Sequence, residues 1–164
     1  MRLSFLLGLL ASLLLAAPAQ ATIVPGKGMA GVELGDCQSR VVKVLGPPDK
    51  TFGTRDFAGF VSTYTYRGPG LRIDFRRGAG SCLEASSILT YKGLERTAEG
   101  VGKGTQRKTL RARLRGEKCE TFRLPRRTVR SCHLGGFRPG RPVTDFRIDS
   151  RLRVSTVRVA IVID

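Results

Sequence analysis

Two similar stretches decide the predicted fold: GVELGD at residues 31–36 and GVGKGT at residues 100–105. Both begin with Gly-Val, have a second glycine at the fifth position and end on a short side chain with an oxygen atom, Asp36 or Thr105. Such a side chain is typical of a helix N-cap, because its oxygen accepts from the free N–H groups of the first turn. Each stretch therefore predicts the start of a helix, and their similarity predicts a duplication.

The residues after each stretch indicate a short helix with one apolar face. Val41 and Leu45 lie four positions apart, and so do Leu110 and Leu114. After the first helix comes Gly-Pro-Pro at residues 46–48, where glycine suits the position that follows a helix and proline cannot continue it. Two short helices are therefore predicted.

The segments after each helix alternate between apolar and polar residues, as half-buried strands do. Gly and Pro separate these segments, which is typical of turns between antiparallel strands. The strands predicted in this way are residues 64–66, 71–75 and 83–91 after the first helix, and residues 119–124, 129–134, 144–148 and 152–163 after the second.

Residues 1–21 have the three parts of a secretion signal. Arg2 supplies a positive charge, residues 3–17 form an apolar run, and Ala-Gln-Ala at residues 19–21 predicts cleavage after Ala21. The apolar run is short for a membrane span, and Thr22 stands where a lipoprotein would have a cysteine. We therefore expect a secreted protein, extracellular or held in the cell envelope, without a transmembrane anchor.

Four cysteines in a secreted chain indicate two disulfides, for which three pairings are possible. Cys119 and Cys132 are the favoured pair because they stand near the base of a predicted hairpin, which leaves Cys37 to pair with Cys82. A zinc site would need Cys-x-x-Cys or a Cys/His cluster, and the chain's one histidine is His133. No metal ion and no cofactor are therefore expected.

The sequence shows no catalytic constellation. A Ser-His-Asp triad would have to use His133, which is predicted to lie in a disulfide-bonded strand, and no Gly-x-Ser-x-Gly motif occurs. The glycines of residues 100–104 lack the Gly-Lys-Ser/Thr ending of a phosphate-binding loop. We therefore predict that the protein is not an enzyme.

The chain is strongly basic, with 29 Lys and Arg against 13 Asp and Glu and a formal net charge of +16. Such a charge favours anionic partners but also serves simply to keep a protein soluble. Three arginines form a stripe on the second predicted helix, and four surround the tip of the 119–134 hairpin. They are Arg107, Arg111 and Arg115 on the helix, and Arg123, Arg126, Arg127 and Arg130 on the hairpin.

Short motifs in the first half resemble the SmpA/OmlA (BamE-like) module. They are Ile-x-Pro-Gly at residues 23–26, Gly-x-x-Leu-Gly-Asp at 31–36, Leu-Gly-x-Pro-Asp at 45–49 and Tyr-x-Tyr at 64–66. Two such modules in tandem, each with a disulfide, resemble the secreted β-lactamase inhibitory protein fold. The resemblance implies an α+β fold of two tandem repeats, residues 22–95 and 96–164, each with short helices followed by a small antiparallel sheet. It further implies that the repeats pack as one two-layer saddle that grips a partner protein.

This chain departs from both families. It lacks the acylated cysteine of BamE-like lipoproteins, and its corresponding surfaces are rich in arginine and contain no tryptophan. No inhibitory residue is therefore carried over.

The sequence leads to two functional hypotheses. The first is a secreted, non-catalytic protein that recognises an extracellular protein through its sheet face and loops. The alternative is an electrostatic binder of polyanions, either nucleic acid or an anionic cell-wall polymer. The candidate binding residues are Tyr64, Tyr66, Arg123, Arg126, Arg127 and Arg130.

Overall fold

The computed structural model describes residues 22–125 and 127–163. Within these ranges the chain forms eleven β-strands and two short helices. Eight strands make one antiparallel sheet, and three two-residue strands make a second, small sheet. The predicted secretion signal lies outside the described residues.

The elements follow one another in a simple order, in which each helix precedes four strands of the large sheet. The small sheet contains β1 (Ile23–Val24), β2 (Gly28–Met29) and β3 (Val32–Glu33), and the helices are α1 (Gln38–Leu45) and α2 (Arg107–Arg113). The large sheet contains β4 (Lys50–Asp56), β5 (Gly59–Tyr66), β6 (Leu71–Arg77), β7 (Leu83–Thr90), β8 (Lys118–Leu124), β9 (Arg127–Leu134), β10 (Pro142–Ile148) and β11 (Val154–Ile161).

The predicted fold class, α+β with two tandem repeats of short helices and a small sheet, is wrong. The protein is mostly β, since the helices have eight and seven residues and eight of the strands form a single sheet. The order across this sheet is β4-β5-β6-β7-β11-β10-β9-β8. Strands from both halves of the chain join where β7 pairs with β11, so there is one large sheet in place of two small ones.

The seven predicted strands are present, because their alternation reflects real burial. In β6, Leu71, Ile73 and Phe75 are buried, whereas Arg72 is exposed on the other face. Sequence analysis missed β4 and the three strands of the small sheet. All seven residues of β4 are exposed, so this edge strand has no buried side to produce an alternating pattern.

Both helices are present, but the predicted N-caps are wrong. The residues at the N-cap positions are Cys37 and Gln106, and neither side chain makes a cap hydrogen bond. The carboxylate of Asp36 instead accepts from the N–H of Glu33 at 2.8 Å, and the Thr105 hydroxyl accepts from the N–H of Gly102 at 3.1 Å. These two side chains therefore close the turn that leads into each helix.

The helices and the small sheet cover one face of the large sheet. Val41 of α1, Leu110 of α2 and Met29 of β2 are buried in one apolar cluster with sheet residues such as Ile73 and Phe146. The sheet residues of this cluster therefore lie on one side of the large sheet. We call this side the core face.

Two disulfides link segments that the backbone already brings together. Cys37, just before α1, bonds Cys82, just before β7, and Cys119 of β8 bonds Cys132, which lies opposite it on β9. This is the pairing that the sequence favoured. Disulfides are typical of proteins that fold outside the reducing cytosol.

Candidate binding face

The opposite side of the large sheet, which we call the open face, carries a row of charged residues. Cross-strand partners share a face, so the register defines which side chains stand next to one another. Across the eight strands the row comprises Lys50, Thr65, Arg72, Leu89, Arg158, Asp145, His133 and Lys118.

A depression lies near the middle of the open face. Val61 of β5 and Ala160 of β11 line it and are buried, although they do not belong to the core cluster. A cavity of about 340 Å³ opens in this region, with Arg72, Asp74, Ser87 and Arg158 among its lining residues.

A second cavity of about 680 Å³ adjoins the first towards the end of β11 and continues around the end of the sheet to Leu34 and Ala85, which pack with the core. The two share Arg76, Ser86, Ile161 and Ile163 in their linings, so we describe them together as the open-face groove, with a charged lobe and an apolar lobe. The further lining residues of the apolar lobe are Leu34, Gly35, Phe57, Ala58, Arg77, Gly78, Glu84, Ala85 and Val162.

Arg76 lies between the two lobes and is neutralised by an aspartate. Its guanidinium donates to both carboxylate oxygens of Asp56, with Nη1 and Oδ1 2.8 Å apart. This bidentate hydrogen bonding holds the pKa of Asp56 below its usual value and raises that of Arg76. Because Asp56 lies at the end of β4 and Arg76 on β6, the pair ties the β4–β5 hairpin to the neighbouring strand.

Asp74 neutralises a second arginine in the charged lobe. It accepts from Arg72 Nε at 3.1 Å and from the Thr63 hydroxyl at 2.7 Å. Arg158, across β7 from Arg72, makes no ion pair with any described residue. The charged lobe therefore contains three arginines and two aspartates, and keeps an excess positive charge.

Three buried polar atoms of the described side chains have no hydrogen-bond partner: Ser87 Oγ, Glu95 Oε2 and His133 Nδ1. Ser87 lines the charged lobe, diagonally across the β7–β11 pair from Arg158. The His133 ring instead packs against Phe137, with ring centroids 4.5 Å apart.

Exposed aromatic rings occupy both outer edges of the open face. Phe52 is 59% exposed on β4 and Phe122 is 50% exposed on β8, and these are the two edge strands of the sheet. The register places Phe52 opposite Thr63 and Phe122 opposite Val129, so both rings stand on the open face. Aromatic residues thus flank the arginines from either side.

The structure corrects the proposed role of the two tyrosines. Tyr66 is 2% exposed, and its hydroxyl donates to the Gly46 carbonyl at 3.3 Å. Burial, together with nearby Tyr64, raises its pKa. Tyr64 is half-buried on the core face, with its ring centroid 4.7 Å from that of Phe75. Both tyrosines therefore support the core.

Two of the hairpin arginines, Arg123 and Arg130, do not lie on the open face either. Arg123 and Arg130 share the side of β8 and β9 that carries the disulfide between Cys119 and Cys132. Arg126 lies outside the described residues, and Arg127 is described only as the first residue of β9. The candidate-site residues Arg72, Arg158, Phe52 and Phe122 were not among those predicted from the sequence. The alternation in β6 and β11 already places Arg72 and Arg158 opposite buried residues, and this was the available signal.

Two further cavities are lined by basic residues without any acidic one. One of about 500 Å³ lies beside α2, and one of about 510 Å³ lies at the loop between β9 and β10. Arg111, in the first, also pairs with Glu117, with Nε and Oε1 3.1 Å apart. The charged residues are Arg107, Lys108, Arg111 and Arg151 in the first cavity, and Lys118, Arg138 and Arg141 in the second. Arg115 of the predicted stripe follows the end of α2 and lines neither cavity.

Two other properties follow from the described part of the chain. Its His, Cys, Asp and Glu residues form no group of three or more that could hold a metal ion. None of its helices has the length and apolar character needed to cross a membrane.

The fold defines the class of protein: one large antiparallel sheet with helices on one face and a charged groove on the other. No family model matches the chain, and no curated protein matches it either. It is similar in structure to a DUF4309 family protein (YjgB) from Bacillus subtilis subsp. subtilis str. 168, with a TM-score of 0.52 and 15% sequence identity. The likeness covers 83% of this chain and 88% of that one, and at such low identity it concerns the fold alone.

Proposed function

We propose that this is a secreted, non-catalytic protein that binds another protein through the open face. One observation carries the proposal: exposed rings of Phe52 and Phe122 flank a groove that contains Arg72 and Arg158. The energy of protein–protein binding is concentrated in aromatic and arginine residues that pack into a partner. The open face supplies both kinds of residue on one surface.

The charge of the chain indicates the character of the partner. The excess positive charge of the groove lies within a chain whose net charge is +16. Complementary charge accelerates association and selects among partners. We therefore expect the partner to present an acidic surface with apolar residues at its centre.

Secretion is part of the same proposal. It is supported by the signal pattern of residues 1–21 and by two disulfides that use all four cysteines. The test is N-terminal sequencing of the protein recovered from the culture medium or cell envelope, where we expect Thr22 as the first residue. Recovery from the cytosol with Met1 retained would contradict this part of the proposal.

The binding proposal is tested by capture of extracellular proteins on the immobilised, oxidised protein, followed by washing at high salt. We expect the captured protein to be lost from a Phe52→Ser/Phe122→Ser variant. A matched control is Leu94→Ser, because Leu94 is 67% exposed in a loop outside the groove. Removing two large aromatic contacts should weaken binding at least tenfold, whereas the control should bind as the wild type does.

Equal capture by the open-face variant and the control would refute the proposal. Thermal denaturation of both variants checks that they are folded. Since both phenylalanines are exposed, we expect their replacement to change the stability by no more than about 0.5 kcal/mol.

A second candidate function, attachment to a polyanion, is favoured by the two cavities whose charged lining residues are all basic. Its test is binding to heparin and to double-stranded DNA over a range of salt concentrations. Charge reversal at Arg107 and Arg151 should weaken binding and flatten the log–log salt dependence of DNA binding by about 0.9 per lost phosphate contact. Binding that survives high salt and depends on Phe52 and Phe122 would favour the protein partner instead.

A further inference from the structure

Building on the proposed protein recognition, we propose that the open-face groove binds an extended partner segment in which an apolar residue stands two positions from an acidic one. The apolar side chain occupies the apolar lobe, and the carboxylate pairs with Arg158 in the charged lobe. This assigns a distinct chemistry to each lobe of the groove.

The apolar lobe contains exposed hydrophobic surface. Phe57, at the turn between β4 and β5, is 83% exposed, and Ile163 is 40% exposed. Both line the lobe together with Leu34 and Ile161, and its volume of about 680 Å³ is ample for a leucine-sized side chain. Burial of such a side chain should strengthen binding about tenfold or more.

The charged lobe selects a single negative charge. Arg72 and Arg76 are each paired with an aspartate, whereas Arg158 makes no ion pair with a described residue. Asp145, opposite Arg158 on β10, accepts from the Ser131 hydroxyl and does not line the lobe, so one carboxylate would bring the lobe's three arginines and two aspartates to neutrality. A phosphate group, with nearly two negative charges, would leave an excess of the opposite sign.

Ser87 adds a hydrogen-bonding group beside Arg158. Its Oγ has no partner and is shielded from solvent beneath neighbouring side chains. Ser87 pairs with Ala160 and so stands diagonally across from Arg158, at a Cα separation that a long side chain spans. A carboxylate held by Arg158 at this position would supply the acceptor that the Ser87 hydroxyl lacks.

The distance between the lobes sets the spacing of the two ligand residues. Arg158 and Ile161 are three residues apart on β11, which corresponds to about 10 Å at about 3.3 Å per residue. Their side chains leave opposite faces of the strand, and it is at the end of β11 that the groove reaches Ile161, which lines both lobes. In an extended peptide, side chains two positions apart point to the same face and begin about 7 Å from each other. The peptide's apolar and acidic side chains diverge into separate lobes, and their length covers the difference between about 7 Å and about 10 Å.

The probe is the blocked tripeptide acetyl-Leu-Ser-Asp-amide, used alongside the reverse order acetyl-Asp-Ser-Leu-amide. Titration into the full mature protein is followed by the backbone amide NMR signals. We expect one of the two orders to cause saturable shifts centred on Ser87, Leu89 and Ile161. Replacing the peptide's Asp by Asn, or its Leu by Ala, should each weaken binding about tenfold.

Two protein variants locate the carboxylate. Arg158→Gln should reduce the affinity for the Asp peptide about tenfold and leave the weaker Asn peptide unaffected. Arg147→Gln is the matched control, since Arg147 is exposed on the same face of β10 but does not line the groove. It should bind both peptides as the wild type does.

The inference is overturned if the Asp and Asn peptides bind equally well, if Arg147→Gln has the same effect as Arg158→Gln, or if neither order gives saturable shifts. Inorganic phosphate that displaces the Asp peptide at equal concentration would also overturn it. Failure here is distinguishable from failure of the proposed function. Capture that depends on Phe52 and Phe122 but not on Arg158 would leave protein recognition standing and remove only this ligand assignment.

Discussion

The two disulfides should differ in how much they stabilise the protein, because they close loops of different length. Cys119 and Cys132 are 13 residues apart in sequence, whereas Cys37 and Cys82 are 45 apart. In the chain-entropy model these loops correspond to about 3 kcal/mol and about 4 kcal/mol of stabilisation, respectively. We therefore expect the longer link to contribute about 1 kcal/mol more.

Replacing a cysteine removes both the cross-link and the packing of its sulfur atom, and the packing differs between the two links because Cys132 is fully buried and Cys37 only partly buried. The measurement must therefore separate these two contributions to stability. We suggest two variants, in each of which one pair is replaced by alanine and the other pair is retained. Urea denaturation of each variant, with and without a reductant, gives the contribution of the remaining link with its sulfur atoms in place.

A larger loss on opening the Cys119–Cys132 link would refute the entropic reasoning. It would mean that the hairpin of β8 and β9 depends on this bond for native-state geometry and not for restriction of the unfolded chain. A loss below about 1 kcal/mol at both links would contradict the model altogether.

Three smaller predictions concern the frame of the binding face. Asp56→Asn should lower the urea midpoint at neutral pH, because the lowered pKa of Asp56 means that its charged carboxylate stabilises the fold. The difference from the wild type should begin to shrink as the pH falls through about 4, the ordinary pKa of an aspartate, and should vanish once the pH is below the lowered pKa of Asp56. Gly46→Ala should lower the free energy of unfolding by about 1–2 kcal/mol, measured by urea denaturation, because Gly46 has φ 78°, a conformation that L-residues adopt only with strain. The added methyl group meets no atom within 4 Å, so this variant tests the backbone conformation alone. Tyr66→Phe should lower the free energy of unfolding by about 1 kcal/mol through loss of the hydrogen bond to Gly46, and should leave partner capture unchanged. Loss of capture without loss of stability would instead show that Tyr66 contacts the partner.

Local patterns in the sequence predicted individual elements well. The alternation that places Leu71 and Ile73 opposite Arg72 gave β6, and the Gly-Pro-Pro after Leu45 gave the end of α1. In each of these cases one side of the element is buried and the other is not. Hydrophobic periodicity records this difference directly.

The fold class was not predictable in the same way, because it depends on which strands become neighbours. The pairing of Leu89 with Arg158 joins β7 to β11 and turns eight strands into one sheet, and no local pattern contains this information. The strands of the small sheet have two residues each, too few to show a period. That Ile23, Met29 and Val32 belong to the core could therefore be seen only from the structure.

The candidate site was missed for a related reason. Local charge patterns point to arginines that are close in the chain, such as those around Arg123. The groove instead combines Arg72 and Arg158 from β6 and β11, two strands that are far apart in sequence and separated only by β7 in the sheet. A surface of this kind is a property of strand order, so charge counts along the chain did not reveal it.

The junction of β7 with β11 also affects how the chain folds. The whole of β8, β9 and β10 lies between these two strands in sequence, whereas every other pairing in the large sheet joins consecutive strands. Hairpins form early because little chain entropy is lost, and a contact between distant segments forms late. We expect two four-stranded intermediates that each expose an unsatisfied strand edge until they dock, which makes this step the one most sensitive to aggregation.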